Sequence, residues 1–163
     1  MRKLMQRILH AFQFALDYQL YWKLRMGICK WGGVKRKIAV LLCRRIEAKK
    51  CSTTGTGPIG NSCMLKEPLI LPHGLSGIVL ARNVEIGCHV AIYQHVTIAE
   101  SDKQKRTIIE DNVTIGTGAV LLNNPHIGNG AKIGANAVVL TDVPAHATAV
   151  GIPARIITHK RIL

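Results

Sequence analysis

Aromatic residues are scarce: Phe, Trp and Tyr make up 4% of the 163 residues. A core built around large rings is therefore excluded. Acids are also few, with 9 Asp and Glu against 22 Lys and Arg. No uninterrupted apolar run approaches the ~18 residues of a membrane-spanning helix. The N-terminal stretch is a poor signal peptide. Gln6, Arg7, His10, Gln13, Asp17 and Gln19 interrupt its apolar residues, and no small-residue cleavage site follows. The five cysteines (Cys29, Cys43, Cys51, Cys63 and Cys88) are odd in number and show neither paired nor metal-type spacing. They read as reduced thiols of a cytoplasmic protein rather than a disulfide framework.

What charge there is lies at one end. Residues 1–50 hold 13 Lys and Arg against 2 acids, a net of +11 out of the total of +13. Within this arm Leu4, Ile8, Phe12, Leu16 and Leu20 follow helical spacing, so residues 3–26 are expected to be helical. After Gly32-Gly33 a second basic segment, Val34 to Lys50, puts Ile38, Leu41, Leu42 and Ile46 on one face. Such an arm suits a cap on the end of a neighbouring domain, or attachment to an anionic membrane surface. No nucleic-acid motif accompanies the charge, so nucleic acid is not an expected partner.

From Ile59 to Val143 the chain is periodic. Ile59, Leu65, Leu71, Leu80, Ile86, Ile92, Ile98, Ile109, Ile115, Leu121, Ile127, Ile133 and Val139 lead successive hexads. A second small or aliphatic residue follows four places later, as at Cys63, Val90, Val96, Ala119 and Ala137. A six-residue period is the signature of a parallel β-helix, with one short strand and one turn per hexad and three hexads per triangular coil. Three units are expected: the arm at 1–50, the β-helix at 51–158 and a tail at 159–163.

Two insertions break the period. One lies between Leu71 and Leu80, and the other, A-E-S-D-K-Q-K-R-T-I, lies between Ile98 and Ile109. In a repeat protein such loops are where function concentrates. Counting three hexads per coil places His73, His95, Thr117 and Ala135 on one side in four successive coils. The strip below the histidines is lined by Gly116-Thr117 and Gly134-Ala135, which suits a long thin ligand. The charged loop 99–108 leaves an adjacent hexad and is expected to cover it.

The stretches L-P-H-G-L-S-G-I-V-L (71–80), V-E-I-G-C-H-V-A-I-Y-Q-H-V-T-I (84–98) and G-I-P-A-R-I-I (151–157) resemble the serine acetyltransferase branch of the hexapeptide acyltransferases. The resemblance covers about residues 55–158. It implies a left-handed β-helix, a homotrimer, acetyl-CoA bound between neighbouring subunits, and acetyl transfer to a hydroxyl without a metal. His73 matches the family's catalytic histidine. Gly116-Thr117 and Gly134-Ala135 match turns whose backbone contacts the pantetheine arm. The family's acid that orients the histidine falls at Pro58, the acid before the histidine falls at Pro72, and a serine-binding histidine falls at Arg106.

Histidine is the usual general base near neutral pH, and an alcohol needs one to become a nucleophile. His73 is the expected base, with His95 as a second catalytic or substrate-binding candidate. Lys103, Lys105 and Arg106 are either a solvated loop or contacts for CoA phosphates or an anionic substrate. Arg155 and Lys160 are candidates for the CoA 3′-phosphate. Because the two missing acids bear on serine, the expected acceptor is a saccharide in capsule, exopolysaccharide or lipopolysaccharide assembly. The alternatives are serine O-acetylation in cysteine synthesis, or an inactive scaffold.

Overall fold

A computed structural model of the protein describes residues 19–27, 30–50, 64–81, 83–99, 101–102 and 104–157. Pro58, Cys29, Cys51, Cys63, Lys103 and Lys160 lie outside the described residues, as does the junction between the arm and the coils.

Two helical segments come first: α1, described over 19–27, and α2, Gly33–Lys50. Tyr21, Trp22 and Arg25 of α1 are buried, and so are Ala39 and Cys43 of α2. The Cys43 thiol lies 4.0 Å from the Tyr21 carbonyl oxygen. Thus α2 buries its small residues, while Ile38, Leu41 and Leu42 of the expected apolar face are exposed, as is Val34. Among the described residues, no helix is long and apolar enough to cross a membrane.

Thirteen strands of two or three residues follow. They are β1 (Met64–Leu65), β2 (Val79–Leu80), β3 (Val84–Ile86), β4 (Ala91–Ile92), β5 (Thr97–Ile98), β6 (Thr107–Ile109), β7 (Thr114–Ile115), β8 (Val120–Leu121), β9 (His126–Ile127), β10 (Lys132–Ile133), β11 (Val138–Val139), β12 (Thr148–Val150) and β13 (Arg155–Ile157). They form three sheets: face one, β1-β3-β6-β9; face two, β4-β7-β10-β12-β13; and face three, β2-β5-β8-β11. All pairings are parallel except β12 with β13, where the chain doubles back and leaves the repeat.

The register is that of the hexads. Ile92 stands over Ile115 and Ile115 over Ile133; Leu80, Ile98, Leu121 and Val139 form a second column. These leading residues are buried, most of them completely. Burying one such side chain contributes about 1.5–3 kcal/mol, so an unbroken column holds the coils in line.

Corners need left-handed backbone. At the corner between faces two and three, Gly77, His95, Gly118 and Asn136 all have φ between 55° and 69°. Each coil hands its amide to the one before: His95 N–H donates to Ser76 O at 2.9 Å, Gly118 N–H to Gln94 O at 3.0 Å, and Asn136 N–H to Thr117 O at 2.8 Å. The corner between faces one and two repeats the pattern with His89, Asn112, Gly130 and His146.

Candidate functional site

The corner between faces two and three carries most of the expected site residues. His73 sits in the turn 72–77 that precedes β2 and is exposed. The turn is closed by Gly74 N–H to Leu71 O at 3.1 Å and Ile78 N–H to Leu75 O at 3.3 Å. Leu75 and Ile78 are buried and anchor it to the core. Below it in the same corner come Tyr93-Gln94-His95, then Gly116-Thr117-Gly118, then Gly134-Ala135-Asn136. With coils about 4.8 Å apart, the strip from His73 to Ala135 runs about 14 Å.

The register refines the expected row. Two residues beyond Ile92, Ile115 and Ile133 stand Gln94, Thr117 and Ala135. His95 lies one place further, in the left-handed column. A methyl group added at Gly77 would run into the His95 imidazole, so that ring lies over Gly77. A methyl at Gly116 would stand 2.7 Å from the Ala135 amide nitrogen, which explains why the strip is built from glycine at this point. The result is a strip of small residues leading away from His73, half-buried at Gly116–Gly118 and exposed at Ala135 and Asn136.

Two residues that motif reading missed belong to this corner. The Tyr93 ring is 5.9 Å from the His73 ring, tilted by 48°. Gln94 keeps its Oε1 buried without a hydrogen-bond partner among the described residues. Both follow directly on the leading residue Ile92, so the hexad count already placed them in the corner. Their chemistry is ordinary enough that no motif drew attention to them.

The basic loop is elsewhere in the same chain. Residues 99–106 leave at the corner between faces three and one. Asn124 Oδ1 accepts from the Ser101 and Asp102 amides at 3.3 and 3.0 Å, and Asn124 Nδ2 donates to Lys105 O at 3.3 Å. Asn123 N–H donates to Ser101 Oγ at 2.9 Å. Arg106 turns toward face one, 3.7 Å from Glu85 Oε2 and 2.8 Å from Met64 Sδ. The loop therefore does not cover the His73 corner of its own chain, contrary to the expectation. Lys105 is exposed at this other corner, and Arg155 is exposed on β13 at the far end of face two.

Comparison with known proteins agrees with this architecture. The bacterial transferase hexapeptide (six repeats) family model matches residues 106–141. A serine acetyltransferase of Bacillus pumilus is 44% identical over 93 residues, which is 55% of this chain and 42% of that protein. A soybean serine acetyltransferase complexed with serine is similar at a TM-score of 0.69 and 33% identity, covering 87% of this chain and 56% of that one. A Brucella abortus serine acetyltransferase in complex with coenzyme A matches at a TM-score of 0.64 and 30% identity, covering 91% of this chain and 55% of that one. The chain spans about half the length of the curated relatives it matches. The coils are a left-handed β-helix.

These relatives overturn the saccharide expectation, since they are serine acetyltransferases rather than enzymes of polysaccharide assembly. The expectation gave Pro58 and Pro72 too much weight. They are two positions, whereas the similarity extends over 93 to 136 residues.

Proposed function

We propose that this chain carries the acetyl-transfer domain of a serine O-acetyltransferase, using acetyl-CoA as co-substrate and His73 as general base. The observation that carries the reading is His73 at the head of the small-residue strip, in coils similar to those of a serine acetyltransferase complexed with serine. Its pantetheine arm lying along Gly116-Thr117 and Gly134-Ala135, acetyl-CoA would bring its thioester up to the histidine. The strip's length of about 14 Å suits such an arm.

The chemistry then needs few parts. The His73 imidazole takes the proton of the serine hydroxyl as its oxygen attacks the thioester carbon. A backbone N–H group of the corner that is not already bonded between coils would stabilise the oxyanion that forms. Collapse of the tetrahedral intermediate breaks the C–S bond, and the imidazolium returns its proton to the departing thiolate. The products are O-acetylserine and CoA.

Assembly belongs to the same proposal. The outward residues of face three are Val79, Thr97, Val120 and Val138, followed by Ala81, Ala99, Leu122 and Leu140, and none is charged. Face one, by contrast, presents Glu85, Glu110 and His126, and face two presents Lys132. An uncharged face on an otherwise polar prism supports burial against a neighbouring copy, and a closed three-fold ring is the assembly proposed. Lys105 and Arg106 stand at a corner that would then face another subunit. Arg155 and Lys160 stand as the proposed contacts for the CoA 3′-phosphate.

The deciding experiment is turnover of L-serine by the full chain with acetyl-CoA, measured as CoA release. We expect turnover that His73→Ala lowers by ~10² to 10⁴, with acetyl-CoA binding kept within a few-fold. His73 is exposed, so the fold should survive the change. Wild-type protein inactive on serine would refute the substrate assignment, and a fully active His73→Ala would refute the assignment of the base. In the second case His95→Ala tests the other candidate.

A further inference from the structure

We infer that Tyr93 is the positioning residue for His73, fixing the imidazole by ring contact where the resemblance leaves no carboxylate to do so. The inference rests on the reading of His73 as general base. The position matching the family's orienting acid is Pro58, and among the described residues no hydrogen bond or ion pair to the His73 side chain is found. The structure instead sets the Tyr93 ring 5.9 Å away at a 48° tilt.

Both partners are held for this contact. Tyr93 is half-buried, and its N–H donates to Ile115 O at 3.0 Å, which ties it to the next coil. The turn bearing His73 is held at its far side by His95, whose N–H bonds to Ser76 O at 2.9 Å and whose imidazole covers Gly77. Tyr93 and His95 thus brace one exposed turn from the coil beneath, one at the His73 ring and one at Ser76-Gly77. Their spacing in sequence follows from the corner, where the residue after the strand and the left-handed residue both face the preceding coil.

The contact differs in kind from a carboxylate. An acid would occupy one ring nitrogen and stabilise the imidazolium. An aromatic ring restricts rotation of the imidazole yet leaves both nitrogens for the hydroxyl proton. A base that is free to turn loses much of its effectiveness, because a misplacement of about 1 Å can cost about 10²-fold in rate.

The test uses Tyr93→Phe and Tyr93→Leu in the full chain, with the imidazole proton resonances of His73 and steady-state kinetics as readouts. The His73 signals are assigned by their loss in His73→Gln. Tyr93→Phe keeps the ring and should keep both the resonances and the rate. Tyr93→Leu should move the His73 resonances, leave those of His89 and His146 in place, and lower kcat by about 10- to 100-fold with little change in KM for acetyl-CoA. Unmoved His73 resonances in Tyr93→Leu would overturn the inference, as would moved resonances with an unchanged kcat. A large rate loss in Tyr93→Phe would also overturn it, because the hydroxyl and not the ring would then matter. Should Tyr93→Leu disturb His89 and His146 as well, Tyr93→Met replaces it. If the wild type acetylates no serine, the substrate reading fails separately, and the number and strength of contacts from the His73 ring protons to the turn 72–77, lost in Tyr93→Leu but kept in Tyr93→Phe, decide whether Tyr93 holds the ring.

Discussion

Glu110 ties two coils together through a single carboxylate. One of its oxygens lies 2.8 Å from His126 Nε2, and the other accepts the Asn129 N–H at 2.7 Å. These contacts, the histidine first and the backbone amide second, hold its carboxyl below the usual glutamate value. A depressed folded pKa contributes stability that is present above the unfolded pKa and is lost as pH falls through the folded one. We therefore expect Glu110→Gln to melt below wild type at neutral pH and the two melting curves to converge in acid. The group is exposed, so the gap should be small. A gap that persists unchanged in acid would show that the carboxylate's charge is not what matters. Pairings of this kind were invisible in the sequence, because they depend on which outward residues of neighbouring coils face each other.

Periodicity revealed the strands but not everything about the helices. Every described leading residue from Leu65 to Val139 is buried where the hexads put it, because a single inward position per strand leaves little choice. In α2 the same kind of reading identified an apolar row and left open whether it caps the coils or meets a membrane surface. Its described members are exposed, at 53% for Ile38, 60% for Leu41 and 38% for Leu42, while the small Ala39 and Cys43 are the residues that α2 buries, Cys43 against Tyr21. The loop 99–106 was misjudged for a related reason. Asn123 and Asn124 fasten it to its own corner through side-chain bonds spanning about twenty residues, a distance over which periodicity carries no information. The exposed row of α2 is flanked by Lys35, Arg36 and Lys37, which makes attachment of the arm to an anionic surface worth testing. Each basic residue there can contribute about 1 kcal/mol. If so, the full chain will bind anionic vesicles at low salt, and Ile38→Glu combined with Leu41→Glu will weaken that binding. Failure of the wild type to bind such vesicles would leave α2 a helix whose exposed row serves another contact.

At the scale of the whole molecule, a triangular prism has three faces, and this one treats them differently. Each outward residue taken alone is unremarkable, which is why the hexad pattern did not single out a face. Only when the registers are known do Val79, Thr97, Val120 and Val138 line up as one uncharged column. Beside it, Ala81, Ala99, Leu122 and Leu140 extend the apolar area along the full height of face three. An aligned patch of this kind is costly to leave in water and marks an interaction surface. In the proposed trimer it would be covered by a neighbour, and the His73 corner at its edge would become one wall of an inter-subunit cleft. Charge placed on this face should separate the copies without touching the core, because Val79 and Leu140 are already exposed at 51% and 38%. We expect Val79→Lys with Leu140→Lys to sediment as a monomer at micromolar concentration while the wild type sediments as a trimer. The monomer should keep its β-rich circular dichroism and lose acetyl transfer, because half of the cleft is gone. A double variant that stays trimeric would move the interface to another face, and a monomer that remains active would place the whole site within one chain.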